Sequence, residues 1–240
     1  MQRILITGAN RGLGLGFTTA YLASGNRVFA GCRHPEHAEA LQALISSYPE
    51  TLTIIPMDVA QQSSLEASHQ HVSQYVDGLD MLVNNAGIPF GGGKWEASEK
   101  LGSLTFEGLL DIFRVNAAGT LLTTQCYLDL IRHGTQPKIV SISSWFGSIG
   151  GKDENFVNNF GYSASKVSVN LFMRHLAILL AKENILTVAL DPGWVRTDMG
   201  GAEAFLSVEE AVKGLVDVIV KLSVDTSGKF LNWEGKVNPW

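Results

Sequence analysis

The stretch Thr7-Gly8-Ala9-Asn10-Arg11-Gly12-Leu13-Gly14 constrains this chain more than any other. It sets three glycines between a short apolar run, Arg3 to Thr7, and a segment of helical period, Gly14 to Ser24. A strand that turns into a helix through glycines leaves unbonded N–H groups at the helix start, with the positive end of the helix dipole behind them. Gly8 permits the tight turn, Gly12 lets the backbone approach a pyrophosphate, and Gly14 lets the helix pack closely on the sheet. Asn10, Arg11 and Leu13 of the same turn are expected to contact the cofactor with the glycines. A strand before and a helix after is the context that a dinucleotide site requires.

The rest of the chain repeats the alternation. Arg3 to Thr7, Arg27 to Ala30, Leu52 to Pro56, Met81 to Val83, Lys138 to Ile142, Thr187 to Leu190 and Lys229 to Leu231 read as strands. Between them, His37 to Ser47, Gln61 to Val76, Phe106 to Arg132, Tyr162 to Lys182 and Val208 to Leu222 read as helices. Such alternation predicts one doubly wound, Rossmann-type α/β domain over residues 1–240, with a seven-stranded parallel sheet and helices on both faces. Its ligand crevice is expected beyond the carboxyl ends of the strands, near the long loops Gly91 to Gly93 and Gly150 to Asn159.

Composition narrows the partners. A net charge of −5 with eighteen scattered Lys and Arg offers no basic field, so no nucleic acid is expected. Cys32 and Cys126 are too few for a disulfide framework and suit a reducing compartment. No run nears the roughly 18 to 20 apolar residues that span a bilayer, and the first residues lead straight into a strand. A protein of the cytoplasm, without signal peptide, membrane or metal, is the expectation.

The end of the second strand bears on cofactor choice. An acid there would accept from a ribose 2′-hydroxyl, but Val28-Phe29-Ala30-Gly31-Cys32-Arg33-His34 offers Arg33 instead. Arg11 lies in the glycine turn nearby, so two guanidinium groups could hold a 2′-phosphate, which favours NADP, used as NADPH.

Tyr162-Ser163-Ala164-Ser165-Lys166 opens a long helix, and the i, i+4 spacing sets the phenol and the ammonium on one face. A phenol with a pKa near 10 is a poor acid or base at neutral pH, but a neighbouring cation favours its ionised form. Tyr162 can then exchange a proton with a carbonyl or alcohol oxygen while Lys166 tunes it. Ser144, at the end of Ile139-Val140-Ser141-Ile142-Ser143-Ser144, can hydrogen-bond the same oxygen. Asn116 stands inside a predicted helix where Asn is locally unfavourable, which suggests a polar task. Trp145, Phe146, Phe156, Phe160 and Trp194 neighbour these motifs and serve either an apolar substrate pocket or core packing.

Taken in order, Thr7 to Gly14, Asp58-Val59, Asn84-Asn85-Ala86-Gly87, Asn116, Ser144, Tyr162 with Lys166, and Pro192-Gly193 resemble the short-chain dehydrogenase/reductase family along nearly the whole chain. The closing segment, Gly228 to Trp240, is similar to that of sniffer-like and C-signal-like carbonyl reductases. The resemblance implies that Asp58 and Val59 border the adenine and that Asn85, Ala86 and Gly87 line the middle of the cofactor. It also implies that Pro192, Gly193, Val195 and Thr197 hold the nicotinamide end, that Tyr162 and Lys166 touch the cofactor too, and that Asn116 anchors a water to Lys166. The segment from Ser144 to Tyr162 is longer than the family's commonest form, which leaves Ser143 and Ser148 as alternatives to Ser144. The expected activity is NADPH-dependent reduction of an aldehyde, ketone or quinone by a homo-oligomer, dimer or tetramer. The alternative is an NADP-binding signalling or regulatory protein with little turnover.

Overall fold

Seven strands, β1 (Arg3–Thr7), β2 (Arg27–Cys32), β3 (Leu52–Pro56), β4 (Met81–Asn84), β5 (Lys138–Ile142), β6 (Leu186–Asp191) and β7 (Phe230–Asn232), form one sheet in the order β3-β2-β1-β4-β5-β6-β7. The structure is a computed structural model that describes residues 1–92, 94, 96–153 and 158–240. Every pairing in the sheet is parallel, with Ile4 opposite Val28 on one side and Met81 on the other. The order reverses between β1 and β4, so their carboxyl ends diverge and open the crevice where ligands bind in doubly wound folds.

Period-two burial explains the layers. Ile4 and Ile6 point into one core with Phe17, Val28, Val140, Val188 and Leu215, while Leu5 points into the other with Phe29, Leu82, Tyr127, Ile139 and Met173. Both faces are covered, which is why the strands read as continuous apolar runs. The first face carries α1 (Gly12–Ala23), α2 (Glu39–Ile45) and α9 (Val208–Val220). The second carries α3 (Gln62–Val72), α6 (Gly119–Cys126), α7 (Leu128–Arg132) and α8 (Phe160–Leu180), while α4 (Glu96–Glu99) and α5 (Phe106–Phe113) lie before α6 in the chain. Helix α9 opens with a capping box, the Ser207 hydroxyl accepting from the Glu210 N–H and the Glu210 carboxylate accepting in return from the Ser207 N–H.

One expected element is broken. The helix read over Phe106 to Arg132 is α5, a π-helical turn over Arg114–Ala118, then α6 and α7 with an interruption at Tyr127. Periodicity misses this because the causes are polar and tertiary. The Thr120 and Thr124 hydroxyls donate to carbonyls four residues back, a bond that bends helices. Asn116 is drawn out of register by bonds to another segment. Tyr127, fully buried, is held by its hydroxyl donating to Ser68.

Candidate active site

The glycine turn is built as a rigid cradle. Gly8 and Gly12 have φ of +63° and +53°, a region that only glycine adopts freely. Gly14 has another constraint: a Cβ there would overlap the Gly8 carbonyl and stand 2.6 Å from Asn85 Nδ2. The turn's own backbone, more than the sheet face, excludes a side chain at this position. Asn85 Nδ2 donates to the Thr7 and Gly8 carbonyls at 2.9 and 3.1 Å, and Thr7 Oγ1 accepts from the N–H groups of Asn85 and Ala86 at 3.0 Å each. The side chains of the Asn84-Asn85 pair are thus spent on the protein, Asn84 donating to Thr124 at 3.0 Å. Asn10, Leu13 and Ala86 stay at the cradle, and no side chain among the described residues caps the first-turn N–H groups of α1. These uncapped donors and the φ of Gly12 fit a bound pyrophosphate.

Further around the rim, Asp58 accepts from the Ala60 N–H and from Gln61 Nε2, and the buried Val59 packs on Gly119. Arg33 is exposed just past β2 and makes no hydrogen bond or ion pair with the described residues. Arg11 differs: its Nη1 donates to Asp198 at 2.7 Å across the crevice, an exposed pair of little energetic weight. On that opposite rim Gly193 takes φ +75°, Val195 is buried and bridges to Leu206, and Thr197 brings its methyl against Gly12. Pro192 joins this rim to β6, whose last residue, Asp191, is buried and accepts from the Gly193 N–H and from Asn238.

The candidate catalytic side chains meet at the carboxyl end of β5. Lys166 is buried and donates to the Ile142 carbonyl at 2.8 Å, with its Nζ 5.5 Å from the centre of the Tyr162 ring. The Ser144 hydroxyl acts on the Tyr162 phenol and also accepts from the Phe146 N–H at 3.2 Å. The two alternative serines are engaged elsewhere. Ser143 donates to Asn170 at 2.6 Å, and Ser148 donates to the Pro239 carbonyl at 2.7 Å. Gly87 lies close to both Asn116 and Lys166, since a Cβ on it would stand 3.3 Å from Asn116 Oδ1 and 3.8 Å from Lys166 Nζ. Asn116 itself accepts from the Ile88 N–H at 2.8 Å and donates to the Ile88 carbonyl at 3.0 Å and to Ser165 at 3.1 Å.

Electrostatics here differ from the expectation of a phenol lowered by its lysine. Burial pushes Tyr162 up to about 12, the Ser144 hydroxyl pulls against it, and the carboxylates of Asp191 and Glu99 add to the rise. Burial also brings Lys166 down to about 8. Desolvation therefore outweighs the pairing of the two groups. Tyr162 stays protonated at neutral pH, the form that can give a proton away.

The aromatic neighbours divide. Phe146 packs edge-on to Tyr162 with ring centres 6.0 Å apart, while Trp145 is half-buried. Trp194 and Phe160 are exposed, Trp194 against Phe205; Phe156 lies outside the described residues. Glu99 and Asp191 escaped the sequence reading. Asp191 carried a signal, as an acid closing a buried strand just before Pro192-Gly193, whereas Glu99 in a polar run carried none.

A parallel sheet that reverses its order beside a glycine-rich turn defines the class of Rossmann-type α/β proteins. Within that class, the chain belongs to the short-chain dehydrogenase family, an oxidoreductase family whose model matches residues 2–204. It is 34% identical over 162 residues to C-signal of Myxococcus xanthus, covering 68% of this chain and 93% of that protein. Among solved structures, NADPH-bound carbonyl reductase from chicken fatty liver superposes with a TM-score of 0.92 at 35% identity, covering 100% of this chain and 99% of that one. Carbonyl reductase Sniffer of D. melanogaster gives 0.91 at 30% identity, with 100% of both chains covered. No helix among the described residues is long and apolar enough to cross a membrane.

Proposed function

We propose that this protein is an NADPH-dependent carbonyl reductase. The observation that carries the reading is the convergence of Ser144, Tyr162, Lys166 and Asn116 beside the glycine cradle, at the carboxyl end of the central strands. The cradle and the N-terminus of α1 would hold the pyrophosphate, Arg33 the 2′-phosphate, and the segment Pro192 to Thr197 the nicotinamide end. When bound, reduced nicotinamide supplies a hydride to the carbonyl carbon. Tyr162 gives its hydroxyl proton to the carbonyl oxygen, and Ser144 donates a hydrogen bond that holds this oxygen in place. The Lys166 ammonium beside the ring stabilises the phenolate left behind, and Asn116 anchors the segment that faces it. The carbonyl reductase neighbours, one of them bound to NADPH, support this direction and cofactor.

The test is purified protein with NADPH and a panel of aldehydes, ketones and quinones, followed by loss of the nicotinamide absorbance. Turnover should fall by at least about a hundredfold in Tyr162→Phe with NADPH binding retained, as expected for loss of a general acid. Turnover undiminished in that variant would refute the mechanism. Similarity to C-signal favours, as a second reading, a signalling protein that binds the cofactor; binding without turnover across the panel would select it.

A further inference from the structure

The helix that carries Tyr162 lacks a cap of its own. At its N-cap, Asn159 adopts a left-handed conformation (φ 66°), and its side chain accepts no bond from the helix. The acceptor comes instead from α4, more than sixty residues earlier in the chain. Glu99, fully buried, accepts the Tyr162 N–H at Oε1 (3.0 Å), and its backbone carbonyl accepts the Asn159 N–H (3.2 Å). Ser98 donates to the same Oε1 at 3.2 Å and accepts from the Gly91 N–H at 3.0 Å. The two helices meet closely, since a Cβ on Gly161 would stand 2.8 Å from the Ser98 carbonyl.

Two facts set this carboxyl apart from an ordinary cap. Its Oε2 has no hydrogen-bond partner among the described residues, and burial pushes its pKa up to about 7 against the pull of the Tyr162 N–H and the Ser98 hydroxyl. Burying an acid is costly unless bonds offset it, and of the two that do so here one comes from Ser98 on the same helix and the other from the turn that bears Tyr162. No charged side chain among the described residues shifts Glu99, while Tyr162 faces Lys166 from its own helix, Asp191 from β6 and Glu99 from α4.

We propose that Glu99 is a positioning residue for Tyr162: its buried carboxyl takes over the capping role that the Asn159 side chain leaves unfilled at the first turn of α8 and fixes the turn on which the phenol stands. The inference rests on the reading of Tyr162 as the proton donor. It contains a sharp physical signature, because first-turn N–H groups have no partner inside their helix. The Tyr162 amide therefore owes its protection from solvent exchange to Glu99.

The experiment compares Glu99→Ala and Glu99→Gln, the second keeping an accepting oxygen. In Glu99→Ala the Tyr162 amide should exchange at least about tenfold faster by hydrogen exchange, with α1 amides unchanged. With NADPH and menadione, its kcat should fall about tenfold while KM for NADPH stays within about twofold, since Glu99 touches no part of the cradle. Glu99→Gln should recover most of both. Unchanged Tyr162 exchange in Glu99→Ala, a loss expressed in KM for NADPH, or Glu99→Gln as impaired as Glu99→Ala would overturn the proposal. If the alanine variant does not fold, Glu99→Asp, one methylene too short to reach, replaces it. Activity retained in Tyr162→Phe would instead refute the proton-donor reading, while the exchange result still judges the cap.

Discussion

Replacing Asn116 with alanine should weaken the whole fold as well as the site. Asn116 is 1% exposed, and its amide pairs with both backbone groups of Ile88, the N–H at 2.8 Å and the carbonyl at 3.0 Å. Truncation leaves those two groups without partners inside the protein, at about 1 to 3 kcal/mol each. Ile88 is only half-buried, so water partly rescues it and the sum falls at about 2 to 4 kcal/mol. In urea unfolding this appears as a lower midpoint at unchanged m-value, and as a Tm lower by roughly 5 to 10 °C. Ser165→Ala is the control, because it leaves the Ile88 pair intact and removes only the bond from Asn116 and the one to the Tyr162 carbonyl, for about 1 to 2 kcal/mol. A loss below about 1 kcal/mol in Asn116→Ala would refute the argument that the π-helical turn exists to bring this amide to Ile88.

The remaining predictions concern charge. Burial holds Lys166 near 8, below its ordinary value, so its ammonium is fully present under that pH and is lost as pH rises through it. The pH profile of kcat for reduction should accordingly fall above about 8, and Lys166→Arg, which keeps its charge, should move that limb upward; a limb unmoved in the variant would assign it to another group. Arg33→Ala should weaken NADPH binding at least about tenfold in fluorescence titration and leave NADH binding unaltered, as expected for a charge-assisted bond to the 2′-phosphate. Arg11→Ala should cost less, because Asp198 already occupies its guanidinium; equal losses at the two arginines would contradict that ranking.

The strands were legible because a parallel sheet covered on both faces writes itself as apolar runs such as Ile4-Leu5-Ile6. Tyr162 and Lys166 were legible for a similar reason, since four residues along a helix is a local geometry. What escaped is non-local and polar. Nothing in the residues around Glu99 shows that its carboxyl ends on an N–H sixty-three positions away. Arg11 and Arg33 look equivalent in sequence, and only the fold brings Asp198 to one of them. Ser144 differs from Ser143 and Ser148 in its partners, and those partners lie on other segments that only the fold brings near.

The bracing of the glycine turn by Thr7 and Asn85 has a thermodynamic consequence. Because protein groups already hold its carbonyls and its neighbouring strand end, the turn is ordered during folding, and little conformational entropy is left to lose when a dinucleotide arrives. Under the proposed reading, evolution or engineering that alters cofactor affinity therefore has small leverage at the braced glycine turn and larger leverage at the rim beyond β2. If Arg33 holds the 2′-phosphate as proposed, that position, which makes no bond with the described residues, is where a single substitution would shift the preference between the two nicotinamide cofactors.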